Sequence, residues 1–257
     1  MSTAAKAAAT LVLLREDPGG YEIFMAERAA TMAFAGGMMA FPGGKVDDSD
    51  AAVSGDAAVA TGFEGLDPVD AAARVAAARE TFEEAGVPLS NGPAVPDDVR
   101  EAWRKRIVAH EVGFGDFLRA VGHRFDARTL TPYAHWCPPE NLDQRRYDTR
   151  FYVAVMPPEE TARHDGDESV ESHWVTPAEA LERADRGETM LLFPTRCNVE
   201  RLAQHPTVDA LMAHIAATPV RLVQPSVAMK DGEPWLTIPA DAGYPVTSAP
   251  LNGLRRG

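Results

Sequence analysis

Two short apolar runs open the chain, residues 8–14 (AATLVLL) and 21–26 (YEIFMA), with Pro18-Gly19-Gly20 between them. Rich in strand formers and split by turn residues, they predict a β-hairpin. The 34–44 stretch is glycine-rich and closes on Phe-Pro-Gly-Gly, which predicts a loop. Residues 47–66 are small, acidic and without clear periodicity, and read as a surface insertion. A helix then begins cleanly. Asp67 suits its N-cap, Pro68 the first position, and Asp70 the partner place of a capping box. Gly86 suits the position that ends it. Ala71, Val75, Ala78 and Phe82 recur at helical spacing and form the predicted core stripe.

Residues 97–109 and 113–121 predict two further helices, 150–156 a buried strand, and 173–176 a short strand. Thr176 caps a helix over 177–186, and 198–217 is helical with a break near Pro206. The tail, 220–246, alternates around Lys230-Asp231-Gly232-Glu233 and predicts a hairpin. Strands mixed with helices imply α/β or α+β layering rather than a bundle. No internal repeat or long linker marks a boundary, so one domain over 1–257 is expected.

An apolar share of 45% and a charged share of 25% place the chain among ordinary globular proteins. No apolar run reaches the roughly 18 residues of a membrane span. The apolar N-terminal stretch runs directly into Arg15-Glu16-Asp17, without a small-residue cleavage region, which favours a first strand over a signal peptide. Cys137 and Cys197 stand far apart without a CxxC pattern, which argues against a zinc site or a disulfide framework and suits a reducing, cytoplasmic setting. A net charge of −13 disfavours nucleic acid as a partner. An acidic protein that handles phosphates must also bring its own cations.

The candidate chemistry lies at the end of the capped helix, in Arg79-Glu80-Thr81-Phe82-Glu83-Glu84-Ala85-Gly86-Val87. Glu80, Glu83 and Glu84 are related by i, i+3 and i+4, so their carboxylates share one face, opposite the core stripe. Packing is expected to push them outward together, with Ala73, Ala76 and Ala77 leaving room for a bulky ligand. Taken alone, such a trio is most often a solvated acidic face. A divalent cation would turn the mutual repulsion into attraction, because hard cations favour carboxylate oxygens.

This segment resembles the signature of the Nudix hydrolases, G-x5-E-x7-R-E-U-x-E-E-x-G-U, where U is bulky and apolar. Gly44 and Asp50 fit its first half, with Asp in place of Glu, and residues 79–87 fit its second half, with Thr81 in an apolar place. Residues 51–78 stand where the signature has seven. Arg28-Ala29, Gly37 and Phe41-Pro42-Gly43-Gly44 resemble the R-(S/A)-x3-R-x3-G-x3-F-P-G-G motif of Nudix coenzyme A diphosphatases, with Ala33 in the second arginine's place. The insertion, the 146–151 segment and the 174–177 segment resemble the peroxisomal branch of those enzymes.

The resemblance implies a single Nudix domain of the α/β class, an α/β/α sandwich around a mixed sheet. It carries an insertion at about 51–66 inside the box, a helical insertion at about 97–121 and a C-terminal hairpin at about 220–246. It implies that Glu80, Glu83, Glu84 and the Gly43 carbonyl bind Mg²⁺ or Mn²⁺. Arg79 would orient the glutamates, and Asp50 would act by hydrogen bonding or through water. Arg28, Gly37 and Phe41 would face the substrate. Glu168 or Glu171 would supply a distal acid, and His164 and His173 are candidate bases. The implied activity is hydrolysis of a nucleoside diphosphate derivative, foremost coenzyme A or acyl-CoA, by a monomer or homodimer. The alternatives are an ADP-ribose or dinucleotide diphosphatase, and a non-catalytic nucleotide-binding regulator.

Overall fold

The computed structural model describes residues 4–28, 38–139, 146–158, 160, 162 and 169–251. The first apolar run forms β1 (Lys6–Asp17) and the second β2 (Gly20–Arg28), paired antiparallel with Leu14 opposite Ile23. Leu11, Val12, Leu13 and Leu14 are all buried, so β1 is covered on both faces. An unbroken apolar run, rather than alternation, is the mark of such a strand. The expected loop before Gly44 instead carries two short strands. β3 (Met39–Ala40) pairs with β2, and β4 (Gly43–Lys45) pairs with β1. Gly43 permits that approach, since a Cβ there would lie 2.5 Å from the Ala9 carbonyl oxygen.

The 47–66 stretch is not a surface insertion. It forms α1 (Asp48–Ser54) and β5 (Ala60–Thr61), and buries Asp50, Val53, Val59 and Ala60. Its few apolar side chains join the core around α2 (Pro68–Ala85), the helix that bears the glutamates. The caps of α2 are largely those expected. The Asp67 carboxylate accepts from the Val69 and Asp70 amides at 2.8 and 3.3 Å, and Gly86 takes φ +72°. The reciprocal arm of the capping box does not form. Asp70 instead accepts from Arg74 Nε at 2.8 Å and Tyr152 Oη at 2.7 Å, which fastens the helix to the sheet.

β6 (Ser90–Asn91) leads to the two expected helices, α3 (Asp97–Val108) and α4 (Phe114–Val121). Phe117 of α4 stacks on Phe82 of α2 with ring centroids 4.5 Å apart. Residues 122–149 carry no clear sequence period, yet β7 (Arg124–Asp126) and β8 (Thr131–Trp136) lie there. β9 (Tyr147–Val155) runs parallel to β1, with Leu11 opposite Tyr152, and β10 (Ser169–Val175) pairs antiparallel with β2. Next come α5 (Pro177–Asp185), capped by Thr176, then α6 (Phe193–Leu202) and α7 (Val208–Ala217), with the expected break between them.

The tail forms β11 (Leu222–Val223), β12 (Ser226–Lys230), β13 (Glu233–Thr237) and β14 (Ser248–Pro250). The hairpin pairs Lys230 with Glu233, and Asp231 and Gly232 both take positive φ, as its tight turn requires. The tail is more than a hairpin, because β14 adds a third strand and β11 extends the main sheet.

The main sheet is eight-stranded, mixed, and ordered β10-β2-β1-β9-β8-β11, with β3 and β4 attached to β2 and β1. Ala9, Leu11, Leu13, Phe24 and Tyr152 face α2 and α4 on one side. Val12, Leu14, Ile23, Tyr133 and Val153 face α5, α6 and α7 on the other. This is the three-layer α/β/α arrangement that the resemblance implies.

Candidate active site

β4 and the C-terminal half of α2 meet at one end of the sheet, beside an open cavity of about 550 Å³. Glu80, Glu83 and Glu84 line it, together with Arg79, Gly43, Gly44, Lys45 and Asp47. Gly44 belongs there for a steric reason: a Cβ would fall 2.3 Å from Glu80 Oε1. The carboxylates are not turned out to bulk water as the wheel predicted. Glu84 is buried, and the Glu80 and Glu83 side chains are each only 13% exposed. Ala73, Ala76 and Ala77 do not make room for a ligand either. They are buried in the core, where small side chains let α2 lie close to the sheet.

Arg79 organises the cluster. Its Nε and Nη2 donate to Asp50 at 2.9 and 3.0 Å, a bidentate pair in which the aspartate is 1% exposed. Its Nη2 also donates to the Lys45 carbonyl at 2.8 Å. Its Nη1 donates to Glu80 Oε1 at 2.7 Å and Glu83 Oε1 at 3.0 Å. Burial alone would lower the Arg79 pKa, but Asp50, Glu80 and Glu83 together hold it above the ordinary value. Asp50 also accepts from the Asp47 amide at 2.9 Å. Asp50 does not line the cavity. It fixes the guanidinium that holds Glu80 and Glu83. Burial pushes Glu80 up to about 7, against the pull of Arg79 and with repulsion from Glu83 and Asp50 adding to the rise.

Other sequence-predicted residues fall in different places. Phe41 is buried and lines the cavity. The Arg28 backbone ends β2 opposite Ser169, while its side chain, Gly37, His164 and Glu168 lie outside the described residues. Glu171 does not line the cavity with the box glutamates. It faces Glu27 across the β2–β10 ladder, and with His173 these form a group of donor atoms within 4.8 Å of one another. Both cysteines are buried. Burial pushes the Cys197 thiol up to about 12 and raises Cys137 as well, the reverse of what thiolate chemistry needs.

Tyr147, Thr149 and Phe151, from the 146–151 segment already noted in the sequence, also line the cavity, joined by Trp136 and by Leu192 and Pro194 at the start of α6, which no motif marked. Tyr147, Thr149 and Phe151 share a face of β9 by strand alternation, a signal present in the sequence. His110 reaches the cavity from just beyond α3, at φ +55°, and its sequence neighbourhood gives no hint of that. Lys45 is the cavity's exposed cation.

The NUDT19 Nudix domain family model matches residues 57–202, from just before β5 to the end of α6. The chain belongs to that family. The match takes in Arg79 and the three glutamates but starts beyond Gly44 and Asp50. The chain is 30% identical to the chicken (Gallus gallus) acyl-coenzyme A diphosphatase NUDT19 over 56% of its own length and 44% of that protein's. It is 23% identical to the Xenopus laevis protein of that name, over 88% of this chain and 72% of the relative. The alignment thus spans under half of the chicken protein. Among solved structures, a NUDIX hydrolase from Alicyclobacillus acidocaldarius superposes with a TM-score of 0.69 at 29% identity, covering 83% of this chain and 97% of that one. Among the described residues, no helix of this Nudix chain is long and apolar enough to cross a membrane.

Proposed function

We propose that the chain is a metal-dependent Nudix diphosphatase that splits coenzyme A or acyl-CoA into 3′,5′-ADP and (acyl-)4′-phosphopantetheine. The observation that carries this is that three carboxylates and several aromatic side chains line one largely apolar cavity. The donor set suits Mg²⁺ or Mn²⁺, being all carboxylate oxygen with Gly43 beside it. The charge balance suits it too, since Arg79 is already matched by Asp50 and leaves the glutamates in excess. Glu80, Glu83 and Glu84 would hold the cation, which when bound supplies charge neutralisation at the diphosphate and acidifies water. Arg79 keeps Glu80 and Glu83 in place, and Asp50 keeps Arg79 in place. Lys45 would meet a phosphate oxygen, and by the sequence motif Arg28 would be a second phosphate ligand. Trp136, Tyr147 and Phe151 would meet the flat or apolar part of the substrate. The names of the chicken and frog relatives support the coenzyme A end of this reading.

The test is product chromatography with Mg²⁺ or Mn²⁺. Coenzyme A and an acyl-CoA should yield 3′,5′-ADP. Brisk release of AMP from ADP-ribose or a dinucleotide, with no 3′,5′-ADP from any coenzyme A ester, would replace this substrate by the alternative. No turnover of any of them would leave a nucleotide-binding module.

A further inference from the structure

The described residues include four buried arginines: Arg74, Arg79, Arg104 and Arg201. Three have a carboxylate within reach, Asp70 for Arg74, Asp50 for Arg79 and Glu101 for Arg104. Arg201, in the last turn of α6 and 5% exposed, has none among the described residues. Its Nη1 donates to the Tyr133 carbonyl at 3.2 Å, and its Nη2 lies 3.5 Å from His214 Nε2. Its Nε is buried without any partner. The guanidinium sits 4.6 Å from the Tyr133 ring centre and 5.5 Å from that of Tyr244. Those ring faces and the carbonyl end of α6 offset part of the charge. They do not fill the guanidinium's donor fork, which matches a carboxylate or phosphoryl group.

Arg201 also lines a second cavity, of about 320 Å³, between β8, the segment after α7 and the 241–244 turn. Arg221 stands at this cavity's wall as a second cation, 71% exposed and 3.7 Å from the likewise exposed Asp241. Behind Arg201, the His205 and His214 rings lie 4.5 Å apart, and burial together with the Arg201 charge lowers both pKa values. Among the described residues, Asp241 is the one carboxylate in this cavity's lining, and it is exposed and paired with Arg221 rather than with Arg201. Tyr244 joins the two cavities: it lines this one, and its Oη accepts from Nε1 of Trp136, in the wall of the glutamate cavity, at 2.9 Å.

We propose that this second cavity binds a small organic anion through its carboxylate or phosphoryl group, held by the Arg201 fork and by Arg221. The inference does not depend on which substrate the glutamate cavity takes.

Calorimetric titration of the whole chain in EDTA at fixed ionic strength, with inorganic phosphate and separately with malonate, tests this. At least one probe should bind, and the preferred one names the group. Arg201→Lys keeps the charge but loses the fork and should weaken binding by about tenfold. Arg221→Ala should weaken it severalfold, while Lys45→Ala, in the other cavity, should leave it unchanged. No binding of either probe to the wild-type chain overturns the proposal. So does unchanged affinity in Arg201→Lys, or binding that is lost in Lys45→Ala instead. Should Arg201→Lys fail to fold, Arg221→Ala decides: unchanged affinity there overturns the proposal.

Discussion

Glu80→Gln isolates what the packing does to one carboxylate. In the wild-type chain, Glu80 lies against Gly44 with its pKa raised from 4.5 to about 7 by burial first, then by Glu83 and Asp50, while Arg79 pulls the other way. The sign follows from proton counting. Between those two values the folded chain holds a proton that the unfolded chain has released. Stability from this group is therefore fully present below about 4.5 and is lost as pH rises through about 7. At about 1.4 kcal/mol per pH unit, the ceiling on that loss is about 3.5 kcal/mol. For a chain of this length, 1 kcal/mol moves the melting temperature by about 2–4 °C, which gives about 7–14 °C in all. The assay is thermal unfolding in EDTA from pH 4.5 to 8, wild type against Glu80→Gln. The variant carries no titrating group at this position, so its melting temperature should gain on the wild type by several degrees as pH rises. Saturating Mg²⁺ should shrink that gain, because a cation favours the ionised carboxylate. Parallel profiles in EDTA would refute the burial argument for Glu80.

Glu83→Gln and Glu84→Gln should each cut diphosphatase turnover by orders of magnitude while circular dichroism and solubility stay those of the wild type. Near-normal rates in both would reduce the trio to an acidic helix face. Activity should vanish after dialysis into excess EDTA, return with Mg²⁺ or Mn²⁺, and rise on the alkaline side of neutrality. Asp50→Asn removes the buried counter-charge of Arg79 and should destabilise the chain by about 3–5 kcal/mol in denaturant titration, as breaking a buried ion pair does. Stability within 1 kcal/mol of wild type would mean that Glu80 and Glu83 alone satisfy Arg79. Deleting 51–65 should abolish cooperative folding, since the segment buries Val53, Val59 and Ala60 in the core around α2. A soluble, sharply melting deletion would show that those contacts are dispensable.

The local grammar of the chain determined its elements well. Asp67, Pro68 and Gly86 fixed both ends of α2, because caps and left-handed turns are decided by neighbours along the chain. The first hairpin, the tail hairpin at Lys230 to Glu233 and the break at Pro206 are local in the same sense. The spacing of Glu80, Glu83 and Glu84 on one helix face was equally legible. Tertiary structure alone decided what that face meets. An alanine suits both a space left for a ligand and a helix pressed against a sheet, so the sequence could not tell that Ala73, Ala76 and Ala77 do the second. It could not show that 47–66 enters the core, because three or four small apolar side chains make no period but still fill a gap. Nor could it show the bidentate Asp50–Arg79 pair, or that Trp136 joins Tyr147 and Phe151 in lining the glutamates' cavity. Arg201 makes the same point in charge. A lone arginine in a helical sequence reads as solvated surface, and only the packing of β8, α6, α7 and the 241–244 turn around it leaves the charge buried with no carboxylate partner among the described residues. Such contacts join residues distant in sequence, and their energies depend on burial, which no local pattern encodes.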